Sequence, residues 1–406
     1  MSLMLCARSA ASRIVNISHS VRRRPRYFSS AVDTDSVVSA PSTANDEVTV
    51  TTYSSRSSSS SDTPKSYPLS ANNSMKLVDR LLQRTSEMMD PHAANVIAFS
   101  GGVDSSLVAA LVHRAFNNYH ISYDSNPSIT QRRGSLQAVL GISAAVSQTQ
   151  IIMARTVAQT IGIELTEVPT SEGSDETYQR NDGYACFVCK THLYSTLENV
   201  ANTVMKQQLE LRQQLNDDQQ QKDDAYNSVI LYNGTNADDR TDPTRLGLIA
   251  ASNFQVHSPL DQITKDEVRA AAKHLGLPNW NAAASPCLRS RLAMGVMATS
   301  EHLRAVEKAE EFVRNVLNID EAVNARVRML AGGRAVVELD NSILMDTSHH
   351  QFSGDDSEES WVARSLRESG FEMKCINEWG FKSFGGVRGF KTGSVAAMPE
   401  QKIMKK

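Results

Sequence analysis

Short apolar runs alternating with helix-length segments predict an α/β fold, a parallel sheet with helices on both faces followed by a smaller C-terminal α+β domain. Three observations carry that prediction. Four runs of strand character, Asn95–Phe99, Gln137–Ile142, Ile163–Val168 and Ser228–Tyr232, are each separated by a stretch long enough for a helix. A glycine pair stands where the first of these runs meets the following helical pattern. Beyond residue 260 the pattern changes to amphipathic helices and two short alternating strands.

Taken in order, structure is expected to begin near Met75, where Leu77, Val78, Leu81 and Leu82 share one helical stripe. Asp104–Phe116 follows the first strand as a helix. The segment around Thr156–Ile161 is helical, and a long helix is expected from near Lys190. Two polar insertions interrupt the alternation, 117–135 and 206–227; the second, rich in Gln, Asp and Lys, reads as a solvated helical extension. Thr264-Lys265-Asp266-Glu267 has the capping-box pattern and opens a helix ending near Leu275. Ser300–Leu317 is a long amphipathic helix, Arg326–Leu330 and Ala335–Leu339 are strands, and Asp346–Ser360 is an acidic polar loop.

The chain has 406 residues, of which 40% are hydrophobic and 21% charged, so a sizeable core can form. No stretch approaches the roughly 18 apolar residues that a spanning helix requires, so no membrane partner is expected. Residues 1–28 carry six arginines and no acid; without them Lys+Arg falls from 42 to 36 against 45 Asp+Glu, a net charge near −9. A body this acidic, with only 6% aromatic residues, argues against a nucleic-acid partner.

The Arg- and Ser-rich, acid-free segment 1–28 reads as a mitochondrial-type transit peptide, with processing after Phe28 in Arg26-Tyr27-Phe28-Ser29-Ser30. The mitochondrial matrix is the expected address, with plastid or cytoplasm as alternatives. Residues 29–73, dominated by Ser, Thr and Asp, form an expected disordered linker. The first domain then spans 74–260, the second 261–395, and 396–406 is a tail. Five cysteines do not make a disulfide framework in a chain of this length, and Cys6 lies within the presequence.

Ser100-Gly101-Gly102-Val103-Asp104-Ser105-Ser106 lies directly after a predicted strand and opens a helix. Adjacent glycines allow positive φ and turn backbone N–H groups inward, and the helix start adds its positive dipole end. The hydroxyls of Ser100, Ser105 and Ser106 add donors, so the segment can cradle an anion such as pyrophosphate. It contains no lysine, unlike the kinase-type phosphate loop. The pattern resembles the PP-loop of ATP pyrophosphatases, which cleave ATP between its α and β phosphates. That resemblance implies ATP, with Asp104 helping to hold Mg²⁺. Ligands of such sheets sit at the carboxyl ends of strands. This places Ile142, Ser143 and Ala144 as candidates for the adenine edge, and Asn236 and Asp239 of Gly234–Asp239 on the same rim.

Cys186-Phe187-Val188-Cys189 is a CxxC, and Cys287 follows in Ser285-Pro286-Cys287-Leu288-Arg289-Ser290-Arg291. Alone the CxxC is a zinc knuckle, a redox pair or an accident. Three cysteines are one short of a closed Cys₄ zinc site, and three thiolates suit an iron–sulfur cluster with one iron left free. Arg326 and Arg328 alternate on a strand and project the same way, which suits a phosphate or carboxylates. Glu310 is read as their partner or as a polar site residue, and Arg291 as a group favouring the Cys287 thiolate or touching substrate.

With these pieces the chain resembles the LarE family of sulfur transferases. The resemblance rests on SGGVDSS, CxxCK with His192-Leu193-Tyr194, GTNADD with Asp242, Arg245 and Gly247, and Ser258-Pro259-Leu260. It continues through KDEVRAAAKHLGLPNW, PCLRSRLAMG, Val306–Glu310, Arg326-Val327-Arg328 and Gly389–Ser394, covering about residues 75–394 apart from the insertions. The resemblance implies adenylation of a small-molecule carboxylate and insertion of sulfur to give a thiocarboxylate. It makes Cys287 and Asp104 catalytic residues and implies a homo-oligomer. Members with one cysteine at the Cys287 position surrender its sulfur; members with three hold a 4Fe–4S cluster. Cys186, Cys189 and Cys287 are therefore the expected metal ligands, and Arg291, Glu310, Arg326 and Arg328 the expected substrate contacts. Arg289 replaces the family's usual alanine and Leu292-Ala293-Met294 its Ile-Pro-Tyr, which opens a different carboxylate alongside the pincer-cofactor precursor. A tRNA thiolation enzyme, an amide-forming ligase of the NAD- or GMP-synthetase kind, and a non-catalytic metal- or nucleotide-binding scaffold are the competing functions.

Overall fold

Strand β1 (Ala94–Ala98) is buried at all five positions, as a central strand must be when helices cover both sheet faces. In the computed structural model it is flanked by β2 (Ser135–Ile142) and β4 (Val229–Tyr232), and β3 (Leu165–Pro169) pairs with β2. The order β3-β2-β1-β4 is parallel throughout, so all four carboxyl ends lie on one edge. The structure describes residues 70–123, 134–215, 228–241, 245–320, 322–345 and 360–390. The expected presequence, nearly all of the linker, parts of both insertions, Asp242, nearly all of the acidic loop, Lys391–Ser394 and the tail lie outside them.

The period of two along each strand sorts the core into two faces. Ile97, Ala138, Leu140 and Tyr232 point to one side. They pack under α1 (Ala71–Met88), α2 (Val103–Tyr123), α3 (Gln148–Ile161) and α8 (Lys265–His274). Ala94, Val96, Ala98, Val139 and Leu231 point to the other, against α5 (Ala185–Leu215) and α7 (Gly247–Asn253). Two short helices lie between, α4 (Glu176–Arg180) and α6 (Ala237–Arg240).

The second sheet has the order β5-β6-β7, from β5 (Ala325–Leu330), β6 (Arg334–Leu339) and β7 (Ser383–Gly389). β5 and β6 form an antiparallel hairpin through Gly332 and Gly333, both at positive φ, and β7 runs parallel to β6. Helices α9 (Ser300–Leu317), α11 (Trp361–Glu368) and α12 (Phe371–Asn377) bury Val306, Val313, Leu366 and Phe371 with Val327 and Met329 of β5; α10 (Asn341–Leu344) is one turn.

The α/β class and the strand order of events agree with the sequence reading. Several boundaries move. α1 begins at Ala71, inside the expected linker, because Ser70 Oγ caps Asn73 N–H at 3.3 Å. α2 runs to Tyr123, into the first expected insertion. β3 starts at Leu165, since Gly162 at φ 79° terminates α3 just before it. α5 starts at Ala185 rather than near Lys190, so the CxxC occupies its first turns instead of a preceding loop. No helix among the described residues is long and apolar enough to cross a membrane.

Candidate active site

The glycine pair turns the chain from β1 into α2. Gly101 sits at φ 73°, and a Cβ there would lie 2.8 Å from the backbone of Ala154 on α3, so only glycine fits without displacement. The loop is braced from within: Ser105 Oγ accepts from Ser100 N–H at 3.2 Å, donates to Gly102 O at 3.0 Å and lies 3.0 Å from Ser100 Oγ. Gln150 of α3 donates to Ser100 O at 2.9 Å. Ser106 is fully buried and accepts from Asn279 Nδ2 at 2.9 Å; the same amide group donates to Gly101 O at 2.7 Å. The expectation that all three serine hydroxyls face an anion is therefore corrected. Ser106 is an internal brace, and Val103 packs in the core and offers only its backbone.

Asp104 stands at the start of α2. Its Oδ1 accepts from Asn236 Nδ2 at 3.0 Å, and its Oδ2 is paired with Lys265 Nζ. β4 ends so close to the loop that a Cβ on Gly234 would lie 2.7 Å from Asp104 C and Ser105 N. Asn236 then caps α6 in a capping box with Asp239, and Asp239 Oδ1 pairs with Arg245 Nη1 at 2.7 Å. Burial raises the Asp239 carboxyl, Arg245 opposes that shift, and the nearby Asp104 carboxylate adds to it. Two carboxylates beside a phosphate cradle suit Mg²⁺, a hard cation that takes one or two protein carboxylates and completes its shell with phosphates and water. Ile142 ends β2 on the same rim. Its carbonyl accepts from Thr170 N–H at 3.0 Å, and Val146 N–H closes a turn onto Ser143 O at 3.1 Å, leaving Ala144 at the apex.

The third strand leads to the cysteines. β3 lies two strands from β1, about 10 Å away at the usual strand spacing. After it come Glu172, buried with Oε2 unpartnered among the described residues, and Tyr178, also buried. Asn181, at φ 53°, stitches this segment to the second half of the chain. Its Nδ2 donates to Ala293 O at 3.0 Å and Val296 O at 3.1 Å, and its Oδ1 accepts from Arg289 Nη1 at 2.6 Å. Leu288 N–H donates to Ala145 O at 2.8 Å. These bonds bring the Cys287 turn to the CxxC across about 100 residues of sequence.

Arg289 Nη2 donates to Cys186 Sγ at 2.7 Å. Burial pushes the Cys189 thiol up to about 12, with Cys287 and Glu172 adding to the shift and Lys190 opposing it. Burial also raises Tyr178, again with Cys287 and Cys189 behind it. Burial works against the charge of Arg289, but Cys287, Cys186, Tyr178 and Cys189 hold it above its ordinary value. Arg289 is thus bonded to Cys186 and, with Lys190, acts electrostatically on Cys189. Among the described residues, however, no three His, Cys, Asp or Glu side chains are arranged to hold a metal ion. The described residues therefore do not arrange the expected ligand set Cys186, Cys189 and Cys287 for a metal ion. Cys186 is instead held by Arg289. Cys375 is buried in the C-terminal core.

On the far side of Cys287 lies a buried arginine cluster. Arg291 Nε pairs with Glu310 Oε1 at 2.8 Å, and its Nη1 donates to the carbonyls of Pro286 and Cys287. Arg291 therefore braces the cysteine turn rather than facing the thiol. Glu310 partners Arg291 and Val327 N–H, not the strand arginines as expected. Arg328 pairs with the buried Glu338 at 2.8 Å, and Glu338 also receives Arg388 at 2.6 Å. Among the described residues Arg326 has no carboxylate in ion-pair contact: its Nη2 donates to Ala284 O at 2.9 Å, and its Cζ lies 4.4 Å from the Phe390 ring centroid. Burial, with Arg291 and Arg328 adding to it, holds its guanidinium down to about 10. Four guanidiniums against two carboxylates leave the cluster with an excess of positive charge.

No family model matches the chain. An uncharacterized protein of Synechocystis sp. is 32% identical over 223 residues, 54% of this chain and 69% of that protein. The pyridinium-3,5-bisthiocarboxylic acid mononucleotide synthase of Lactiplantibacillus plantarum is 25% identical over 222 residues, 54% of this chain and 67% of the synthase. The chain belongs to the LarE family. A glutamine-hydrolysing GMP synthase of Oleidesulfovibrio alaskensis is 24% identical over 251 residues, 59% of this chain and 43% of the synthase. This LarE-family chain is thus a PP-loop enzyme that uses ATP.

Four residues of the site escaped the sequence reading. Lys265 and Asn279 both lie in KDEVRAAAKHLGLPNW, where helix capping and packing accounted for the pattern, and only the fold brings them to the loop. Glu338 sits in an apolar strand, directly opposite Arg326 and two residues along from Val336, the partner of Arg328, and Glu172 follows β3 in a polar stretch. The one legible signal was a charge inside the apolar run of β6, which a buried partner must explain.

Proposed function

We propose that this enzyme adenylates a substrate carboxylate and then replaces an oxygen of that carboxylate with sulfur, giving a thiocarboxylate. The observation that carries the reading is the shared rim: the phosphate loop ends β1 and the thiol pocket follows β3 of the same parallel sheet. A carboxylate bound between them can reach the α-phosphorus on one side and a sulfur on the other.

In the first stage ATP lies over Gly101–Ser106 with its adenine toward Ile142–Ala144. A carboxylate oxygen attacks the α-phosphorus, the bond to the bridging oxygen breaks, and its electron pair leaves with pyrophosphate. Asp104 and Asp239 would hold Mg²⁺, which neutralises polyphosphate charge when bound. In the second stage a sulfur nucleophile in the thiol pocket adds to the acyl carbon and AMP departs with the bonding pair. Cys287 is the residue best placed to supply or bind that sulfur, with Arg289 and Lys190 compensating thiolate charge. Cys186, Cys189 and Cys287 would hold a 4Fe–4S cluster, which would supply sulfide when bound. Arg326, with Arg328 beside it, would anchor a second anionic group of the substrate, such as a phosphate.

The test is ATP–pyrophosphate exchange across a panel of carboxylates, beginning with pyridinium dicarboxylate mononucleotide. An acceptor should stimulate exchange in wild type and not in Asp104→Ala, and the product should gain the mass of sulfur in place of oxygen. Formation of an amide from an added amine, with no gain of sulfur and with full activity in Cys186→Ala/Cys189→Ala/Cys287→Ala, would favour an amide-forming ligase instead.

A further inference from the structure

Arg289 lies two residues after Cys287, in the short 3₁₀ turn Leu288–Arg291. Its head group is placed by Asn181, which is only 3% exposed. Asn181 spends its Nδ2 on Ala293 O and Val296 O, which fixes the amide and leaves Oδ1 to accept from Arg289 Nη1 at 2.6 Å. The other end of the guanidinium donates from Nη2 to Cys186 Sγ at 2.7 Å, and Cys186 is exposed, so this end borders solvent. Burial opposes the charge of Arg289, and the groups that favour it are three thiols and a phenol, those of Cys287, Cys186, Tyr178 and Cys189. Among the described residues no carboxylate forms an ion pair with it. A half-buried guanidinium held in place without an acid is suited to an anion that arrives from outside.

We propose that Arg289 is the docking cation for hydrosulfide, the sulfur anion that the enzyme consumes, and holds it at Nη2 beside Cys186. The proposal rests on the sulfur-transfer reading above: a product that gains one sulfur in each turnover draws that sulfur from outside the chain. The bond from Nη2 to Cys186 already sets a sulfur acceptor against this edge of the guanidinium. An incoming sulfur anion takes over the same donor, while Asn181 keeps the other edge in place. Guanidinium suits the exchange because its charge is delocalised and more weakly hydrated than an ammonium, so it sheds water for a large, soft anion at lower cost. Docking there brings sulfur next to the turn that carries Cys287, the residue assigned above to bind it. Alanine, which the family usually has at this position, offers no such donor.

The test is timed alkylation of Cys186 in the full chain, without oxygen and at low ionic strength, read by peptide mass spectrometry. Iodoacetate is an anion and iodoacetamide its neutral counterpart. Arg289→Gln should lower the ratio of the two labelling rates by about tenfold, the loss of one charge-assisted contact, and Arg289→Lys should recover part of it. A change in the reactivity of the sulfur itself scales both rates together, so a brace alone does not move the ratio. Thiocyanate, an unreactive sulfur anion, should also slow iodoacetamide labelling of Cys186 in wild type and not in Arg289→Gln, and chloride at the same concentration should protect less. An unmoved ratio in Arg289→Gln that melts like wild type overturns the assignment. Equal protection by chloride and thiocyanate overturns it as well, since the site then takes any small anion. The labelling needs neither ATP nor acceptor, so its failure leaves the reading above standing. A product that gains no sulfur removes that reading, and the role of hydrosulfide with it.

Discussion

Asn279 gives both amide protons to the phosphate loop, one to Gly101 O and one to Ser106 Oγ, from a position only 1% exposed. Its Oδ1 is buried without a partner among the described residues. Asn279→Ala leaves a buried carbonyl and hydroxyl short of a donor, at a cost of about 1–3 kcal/mol. The variant should melt earlier and lose nucleotide affinity; an unshifted melting temperature with wild-type ATP binding would contradict the brace. The thiols give a second prediction. At pH 8, Cys189 and Cys375, both pushed up to about 12, are almost wholly protonated, and Cys375 is also buried. Cys186 is exposed. Timed alkylation read by peptide mass spectrometry should label Cys186 first. Labelling at Cys189 should rise about tenfold per pH unit between pH 8 and 10, as its thiolate fraction grows. Early labelling of Cys189 at neutral pH would show that the pocket is not as closed as described.

At the scale of elements, the joint between the two halves depends on the α4–α5 turn. Asn181 holds Ala293, Val296 and Arg289 from a left-handed backbone position. Asn181→Gly keeps the backbone conformation but deletes all three side-chain bonds. It should therefore uncouple Cys287 from the CxxC while the sheet remains intact. The expected result is loss of sulfur transfer with pyrophosphate exchange preserved; loss of both would mean that the turn supports the phosphate loop as well.

This joint also shows what was legible beforehand. Parallel β1 to β4 could be read because buried strands are short continuous apolar runs, and the phosphate loop because a glycine pair between strand and helix has few other uses. The position of Cys287 could be read only through resemblance, since nothing local records that Leu288 bonds to Ala145. β7 was missed because Ser383–Gly389 carries three glycines and little β-branched character; it is a strand only because β6 is beside it. The pairing of Arg291 with Glu310 was missed because long side chains choose partners by tertiary distance, not by strand alternation.

For the whole molecule, we propose two chemical stations on one sheet edge, a nucleotide cradle and a sulfur site, with an anion anchor beyond. We further propose that residues 1–28 direct import into mitochondria. The mature chain isolated from that compartment should then begin near Ser29, and recovery of intact Met1 there would overturn the proposal without touching the chemistry. The central claim is that a substrate carboxylate attacks the α-phosphorus of ATP. The most direct measurement uses an acceptor found by the exchange screen, its carboxylate enriched in heavy oxygen, followed by mass analysis of both nucleotide products. Attack by the carboxylate leaves one of its oxygens on phosphorus, so the account predicts AMP carrying one heavy oxygen and pyrophosphate carrying none. Unlabelled AMP, or label in the pyrophosphate, would contradict it.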